Sequence, residues 1–183
     1  MELIITYSSL LELHLVQLKK AAESGKILDL ACGTGRNGLY LINNNIPVLF
    51  SDVKKDSLAV IKETLNSNTA ELAHFWHVDF EQKDNQLKNR TFSGIMVFRY
   101  LHRPLFESIK NAILPGGIII YETFTVENRQ FGRPHNAHYL LNKGELVAQF
   151  KDWNIIHQFE GIIDNQGSPQ AIAQIIALKP FTE

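Results

Sequence analysis

The apolar positions of this chain change period along its length, and each change marks an element. From about Ser8 to Glu23, Leu10, Leu11, Leu15, Val16 and Leu18 return at helical spacing and Lys19 and Lys20 close the segment, which predicts an amphipathic helix. Ser9 and Glu12, three residues apart, have the pattern of a capping box, and Gly25 supplies the stop. Short runs that are apolar almost throughout then alternate with helical stretches. Ile27–Leu30, Val48–Ser51, His74–Val78, Gly94–Phe98 and Gly117–Glu122 read as strands, and Asn37–Asn43, Ser57–Asn66 and Arg103–Ala112 as helices. Strands without a polar face belong in a parallel sheet covered on both sides, so the fold class is α/β.

After Glu122 the rhythm changes. A polar segment rich in Asn, Arg and His precedes a predicted helix at about Asn142–Phe150 and two final strands, Asn154–Glu160 and Ala171–Leu178. Between those strands, Asp164-Asn165-Gln166-Gly167-Ser168-Pro169 favours an antiparallel hairpin over a helical crossover. No repeat or interdomain linker interrupts the pattern. With 183 residues, 45% of them hydrophobic, the chain is large enough for one substantial core, which predicts a single domain over 1–183 made of an N-terminal helix in 1–25 and a core in 26–183.

Charge and cysteine usage narrow the function classes. The 18 Lys and Arg nearly cancel the 19 Asp and Glu, giving a net charge of -1, so nothing global favours nucleic acid or an anionic membrane. Cys32 stands alone, without a partner for a disulfide or a CxxC metal site, which fits a reducing compartment and makes the cytoplasm the expectation. No apolar run approaches the roughly 20 residues that span a bilayer, and the start lacks the features of a signal peptide.

The chemistry concentrates in Ile27-Leu28-Asp29-Leu30-Ala31-Cys32-Gly33-Thr34-Gly35-Arg36-Asn37-Gly38, a glycine-containing turn between a buried strand and a helix. Glycines let a ligand approach the backbone, and the free N–H groups of the helix start attract an anionic group. Asp52 closes the next strand about 20 residues on, where a carboxylate can accept from both hydroxyls of a ribose. Gly33, Gly35 and Gly38 also satisfy a dinucleotide fingerprint, which taken alone is weak. Asp29, however, stands just ahead of the glycines, where it would repel a pyrophosphate and attract an amino group.

Asp29-Leu30-Ala31-Cys32-Gly33-Thr34-Gly35 resembles motif I of the class I S-adenosylmethionine-dependent methyltransferases, and Gly35-Arg36-Asn37-Gly38-Leu39-Tyr40-Leu41 is similar to their tellurite-resistance TehB-like branch. The resemblance runs from about Ile27 to Leu178 and implies a Rossmann-like, seven-stranded, mostly parallel sheet with helices on both faces and an antiparallel C-terminal hairpin. It implies S-adenosyl-L-methionine as cofactor and S-adenosyl-L-homocysteine as product. Carried to matching positions, it puts Asp29, Ala31, Gly33 and Gly35 around the methionine portion, Asp52 on the ribose, and Val53 against the adenine. Asp79 and Phe80 match the adenine-side motif, Phe98 and Arg99 border the sulfonium, and Leu114-Pro115-Gly116-Gly117 is the turn before the fifth strand. Ala31 replaces a glycine commonly seen in the motif.

The acceptor side is less sharply written. Phe98-Arg99-Tyr100-Leu101-His102-Arg103 and Tyr121-Glu122-Thr123-Phe124 both fall at the carboxyl edge of the sheet, where α/β ligands bind. Arg99, Tyr100 and His102 are the catalytic candidates, and Arg133, His135 and His138 lie in the following loop. They suggest a small polar or anionic methyl acceptor, such as a thiol or a chalcogen oxyanion. An Asn/Asp-Pro-Pro-aromatic motif does not follow the fourth strand, which argues against nucleobase and glutamine acceptors. Each candidate also has a plain reading: Asp79 as a helix cap beside a core Phe80, His102 as a surface or capping residue, the loop histidines as solvated side chains, and Cys32 as packing. His135-x-x-His138 lacks an evident third ligand, so no metal is expected. The competing function classes are an NAD(P)-dependent oxidoreductase and a non-catalytic S-adenosylmethionine-binding module; the chain is expected as a monomer or homodimer.

Overall fold

The computed structural model describes residues 7–165 and 167–181. Its centre is a seven-stranded sheet in the order β3-β2-β1-β4-β5-β7-β6. The strands are β1 (Ile27–Leu30), β2 (Val48–Asp52), β3 (Ala73–His77), β4 (Phe92–Phe98), β5 (Ile113–Phe124), β6 (Asn154–Asn165) and β7 (Ser168–Leu178). All pairings from β3 to β5 are parallel, whereas β7 runs antiparallel to both β5 and β6. Chain order reverses between β1 and β4, which opens a crevice beyond their carboxyl ends, the usual ligand position in such sheets.

The unbroken apolar runs are explained by two cores, one on each sheet face. In β1 the alternation sends Ile27 to one face and Leu28 and Leu30 to the other, and in β4 it separates Met96 and Phe98 from Ile95 and Val97. On the first face Leu10, Leu18, Leu41 and Ile61 pack down from α1 (Ser9–Leu13), α2 (Leu15–Ala22), α3 (Arg36–Asn43) and α4 (Lys55–Thr64). On the opposite face α6 (Leu105–Ala112) contributes Leu105, Phe106 and Ile109, and α7 (Glu145–Gln149) contributes Leu146. Complete burial of side chains of this size stabilises the fold by about 1.5–3 kcal/mol each before conformational entropy is counted.

Several local expectations are corrected. The segment Ser8–Glu23 is two helices, because His14 between them leaves helical geometry at φ -120° and ψ 24°. Val16, expected on the apolar face, is 78% exposed as a result. The cap is Ser8, one residue earlier than the expected Ser9, and its hydroxyl accepts from Leu10 N at 3.4 Å. Leu114-Pro115-Gly116-Gly117 is a bulge inside β5 rather than a turn before it: Phe92 pairs with Ile113, and Gly94 already pairs with Ile118. A side chain at Gly117 would lie 2.6 Å from the Ser93 carbonyl oxygen, so this bulge requires glycine there.

The region expected to be only a polar loop contains two short 3-10 helices, Val126–Gln130 and Ala137–Tyr139. A short α5 (Ser67–Ala70), capped by Asn66, follows α4 and was not anticipated. The hairpin turn is tighter than its sequence suggests, since β6 and β7 pair as far as Asn165 and Ser168; Gln166 lies outside the described residues, as do positions 1–6 of the N-terminal segment. Among the described residues no helix is long and apolar enough to cross a membrane.

Candidate active site

Two neighbouring groups of residues occupy the carboxyl edge of the sheet. The first is the turn from β1 into α3. Ala31, Gly33 and Gly35 all adopt positive φ, at 54°, 55° and 76°. The glycines divide the work between ligand and scaffold. Around Gly33 the place of a side chain is open space, whereas at Gly35 it is filled by Ile61 and at Gly38 by the Phe50 ring, 2.2 Å away. Gly35 and Gly38 therefore let α3 settle on the sheet, and Gly33 leaves room in front of it.

The turn is held from two sides by carboxylates. Asp52, 7% exposed at the end of β2, accepts from Gly33 N through Oδ2 at 2.8 Å and from Lys54 N through Oδ1 at 2.8 Å. Asp29 shares the helix-covered face of β1 and is 3% exposed; its Oδ2 accepts from Gly38 N at 3.1 Å. Burial raises the Asp29 carboxyl to about 8; the Gly38 N–H opposes this, the Asp52 charge adds to it, and the Arg36 cation opposes it. Such a carboxyl is ready to lose its proton to the field of an arriving cation. Cys32 is pushed above its ordinary value by burial and by the charges of Asp29 and Asp52, which leaves it an unreactive thiol.

The remaining residues expected around a cofactor are distributed unevenly. Val53 is 53% exposed just beyond Asp52. Asp79 is half-buried, and its Oδ1 accepts from Glu81 N at 2.9 Å. Phe80 and Phe98 are buried core rings, Phe80 meeting Trp76 edge-on at 5.5 Å between centroids.

The second group lies past β4 and β5. Arg99 has φ 56°, a backbone state rarely adopted by a non-glycine residue. Its N–H donates to Glu122 O at 2.8 Å, and its guanidinium meets Glu122 Oε1 at 3.2 Å and lies 4.4 Å from the centre of the Phe124 ring. Burial lowers its pKa, Glu122 raises it and Arg36 lowers it. Arg99 Nη1 is buried with no hydrogen-bond partner among the described residues. Arg99, Tyr100, Leu101, Phe124, Arg133, Pro134 and Tyr139 together wall a cavity of about 320 Å³. His102 is outside this wall; it is half-buried, and its carbonyl accepts from Leu105 N as the chain turns into α6. Burial, followed by the charge and hydrogen bond of Glu81 and the charges of Asp79 and Asp52, raises the Tyr100 phenol, so it remains a donor at neutral pH.

Sequence reasoning placed Arg103 and Glu122 at this edge of the sheet, but it missed their role as supports of the cavity and missed Glu145, Asn128 and Ser8 altogether. Arg103 forks onto Glu145 at 2.6 and 2.8 Å and also donates to His138 O and Leu140 O, which pins the far end of the loop. Asn128, 2% exposed, donates to Arg133 O at 3.2 Å and accepts from Ala171 N at 3.0 Å, which anchors the near end to β7. Glu122, 3% exposed, accepts from Gln174 Nε2 at 2.7 Å and from Ser8 Oγ at 3.3 Å, and Ser8 N donates to Asn37 Oδ1 at 2.9 Å. Ser8 thereby ties α1 to both groups. Glu145, Asn128 and Ser8 look like ordinary surface residues in the sequence.

The comparisons agree with this architecture. A family model described as "Tellurite resistance protein TehB" matches residues 7–171. A probable S-adenosyl-L-methionine-dependent methyltransferase TehB of Haemophilus influenzae is 25% identical over 152 residues, covering 80% of this chain and 52% of that protein. The chain thus spans about half the length of that curated relative. Among solved structures, TehB from Haemophilus influenzae superposes with a TM-score of 0.65 at 21% identity, covering 90% of this chain and 62% of the other. The glycopeptide N-methyltransferase MtfA complexed with S-adenosyl-L-homocysteine superposes with a TM-score of 0.61 at 14% identity, covering 89% and 90%. These superpositions show a shared fold.

Proposed function

Because the chain belongs to the tellurite resistance protein TehB family, we propose that it is an S-adenosylmethionine-dependent methyltransferase whose acceptor is a small polar or anionic molecule. The observation that carries this reading is the turn after β1. It presents open space at Gly33, bonds Gly33 N to Asp52 and sits over the buried carboxyl of Asp29. A cofactor bearing an ammonium group, a sulfonium and a ribose matches this arrangement in sign as well as shape. A pyrophosphate brings no positive charge to draw the proton from Asp29, and so the nicotinamide reading is disfavoured.

When bound, the cofactor supplies a methyl group already activated by a positive sulfur. Asp29 complements the ammonium once it ionises, with Ala31, Gly33 and Gly35 giving the backbone close to it. Asp52 accepts from the ribose hydroxyls through lone pairs left over from Gly33 and Lys54. Val53 offers an apolar surface to the adenine, and Asp79 serves its amino group; Phe80 and Phe98 support the site from the core. Arg99 and Tyr100 hold the acceptor in the cavity beyond β4. Direct displacement requires alignment above all, and alignment can contribute roughly 7–11 kcal/mol to lowering a barrier. Neither a protein nucleophile nor a covalent intermediate is needed, in keeping with the raised Cys32 thiol. His102 would act only as a base reached by movement of the turn before α6.

Calorimetric titration with S-adenosylhomocysteine, alongside NADH, tests the reading. Micromolar binding of S-adenosylhomocysteine with loss in Asp52→Ala is the expected outcome, and binding of NADH alone would overturn it. S-adenosylhomocysteine release over a panel of thiols, selenite, tellurite and small acids then separates an enzyme from a non-catalytic binding module. Unchanged turnover in His102→Ala would remove that residue from catalysis.

A further inference from the structure

The cavity beside Arg99 combines features that a bare inorganic ion does not use together. Two arginines, Arg99 and Arg133, are among the residues that line it. Arg99 is already committed on one side to Glu122 at 3.2 Å, yet its Nη1 remains buried and unpartnered among the described residues. A buried donor without a partner is costly, so a small shift of the Arg99 side chain that brings Nη1 to an acceptor atom of a ligand is favourable. Arg99 also holds a positive φ of 56°, a cost that clusters at ligand clamps.

The rest of the wall is apolar or aromatic: Tyr100, Leu101, Phe124, Pro134 and Tyr139. The Phe124 ring lies against the Arg99 guanidinium at 4.4 Å, so the apolar surface begins directly beside the cation. A volume of about 320 Å³ is at the small end of ligand pockets and matches a single ring with a short substituent. The outer wall is built in place, because Asn128 fixes the carbonyl of Arg133 and Arg103 fixes those of His138 and Leu140, the residues either side of Tyr139.

We propose that this cavity selects an organic carboxylate with a compact, flat apolar body. Arg99 and Arg133 take the carboxylate as an orienting handle, and Phe124, Pro134 and Tyr139 enclose the body. A strongly hydrated inorganic oxyanion would satisfy the guanidinium groups but leave the rings against water. The inference rests on the reading of this cavity as the acceptor side, and it names the substrate class for that side. Arg133, which is exposed, is the specificity-determining residue that can be changed without disturbing the Arg99–Glu122 pair.

The test is calorimetric titration of the full chain with sodium benzoate, benzamide and sodium selenite, each with and without saturating S-adenosylhomocysteine. Saturable benzoate binding is expected, with benzamide and selenite at least tenfold weaker. Arg133→Gln should weaken benzoate at least tenfold while leaving S-adenosylhomocysteine affinity unchanged. Selenite binding as tightly as benzoate, no benzoate binding in either condition, or equal benzoate binding by Arg133→Gln would each overturn the carboxylate assignment. Failure of S-adenosylhomocysteine itself to bind would instead sink the methyltransferase reading, and the benzoate titration without it would still decide what the cavity holds.

Discussion

Replacing Asp29 by Asn should make the protein less sensitive to alkali while weakening its hold on the cofactor. The folded chain keeps this carboxyl protonated up to about 8, whereas the unfolded chain ionises it near the ordinary value of 3.8. The folded pKa is therefore the higher one, and the folded state binds the extra proton throughout that interval. The stability contribution is fully present below 3.8 and declines as pH rises towards 8, at about 1.4 kcal/mol per pH unit when the proton difference is complete. Allowing for half-titration at the upper limit, wild type should lose about 2 kcal/mol relative to Asp29→Asn between pH 6 and pH 8. Above pH 8 both states are ionised and the difference should level off. Urea unfolding of both proteins at pH 6, 7, 8 and 9 measures this directly, because every other titrating group cancels in the comparison. The same coupling makes wild type release a proton when it binds S-adenosylhomocysteine at pH 7, visible as a buffer-dependent heat, and makes its affinity rise with pH; Asp29→Asn should show neither. A stability difference that stays flat from pH 6 to pH 8 would refute the reasoning.

Other substitutions probe separate parts of the site. Asp52→Ala removes an acceptor from Gly33 N and Lys54 N as well as from the ribose, so S-adenosylhomocysteine affinity should fall at least tenfold by calorimetry, with a lower melting temperature. Ala31→Gly relieves a side chain held at φ 54° and should stabilise the chain by about 0.5–1 kcal/mol, a rise of about 1–4 °C in Tm. Gly38→Ala should destabilise it by about 1–3 kcal/mol in urea unfolding, because the added carbon falls 2.2 Å from the Phe50 ring. Arg103→Lys cannot reproduce the fork onto Glu145 together with both carbonyl bonds, so amide exchange in residues 126–140 should accelerate with little change in global stability.

The sequence by itself determined the strands, most of the helices and the glycine turn after β1, since each depends on local rules. Runs such as Ile27–Leu30 and Gly94–Phe98, apolar on both faces, fit only strands covered from both sides, and a glycine turn between strand and helix fits few ligands. Hydrophobic periodicity failed where a tertiary contact competed with it. His14 breaks the first helix into α1 and α2, with Ser8 held by Asn37 and Glu122, and no count of leucines contains that contact. The bulge at 114–117 was equally hidden, because a register shift is a property of two strands, Phe92 pairing with Ile113 and Gly94 with Ile118. The cavity proposed for the acceptor was decided by the tertiary structure. Arg99, Phe124, Arg133 and Tyr139 lie far apart in sequence, with ordinary neighbours, and become one cavity only when β4 and β5 pair and Arg103 and Asn128 fasten the loop across them. The buried state of Asp29 depends in the same way on α3 closing over it through Gly38. Local patterns carry secondary structure because backbone geometry is local, while charge burial and pocket shape are properties of residues brought together from distant segments.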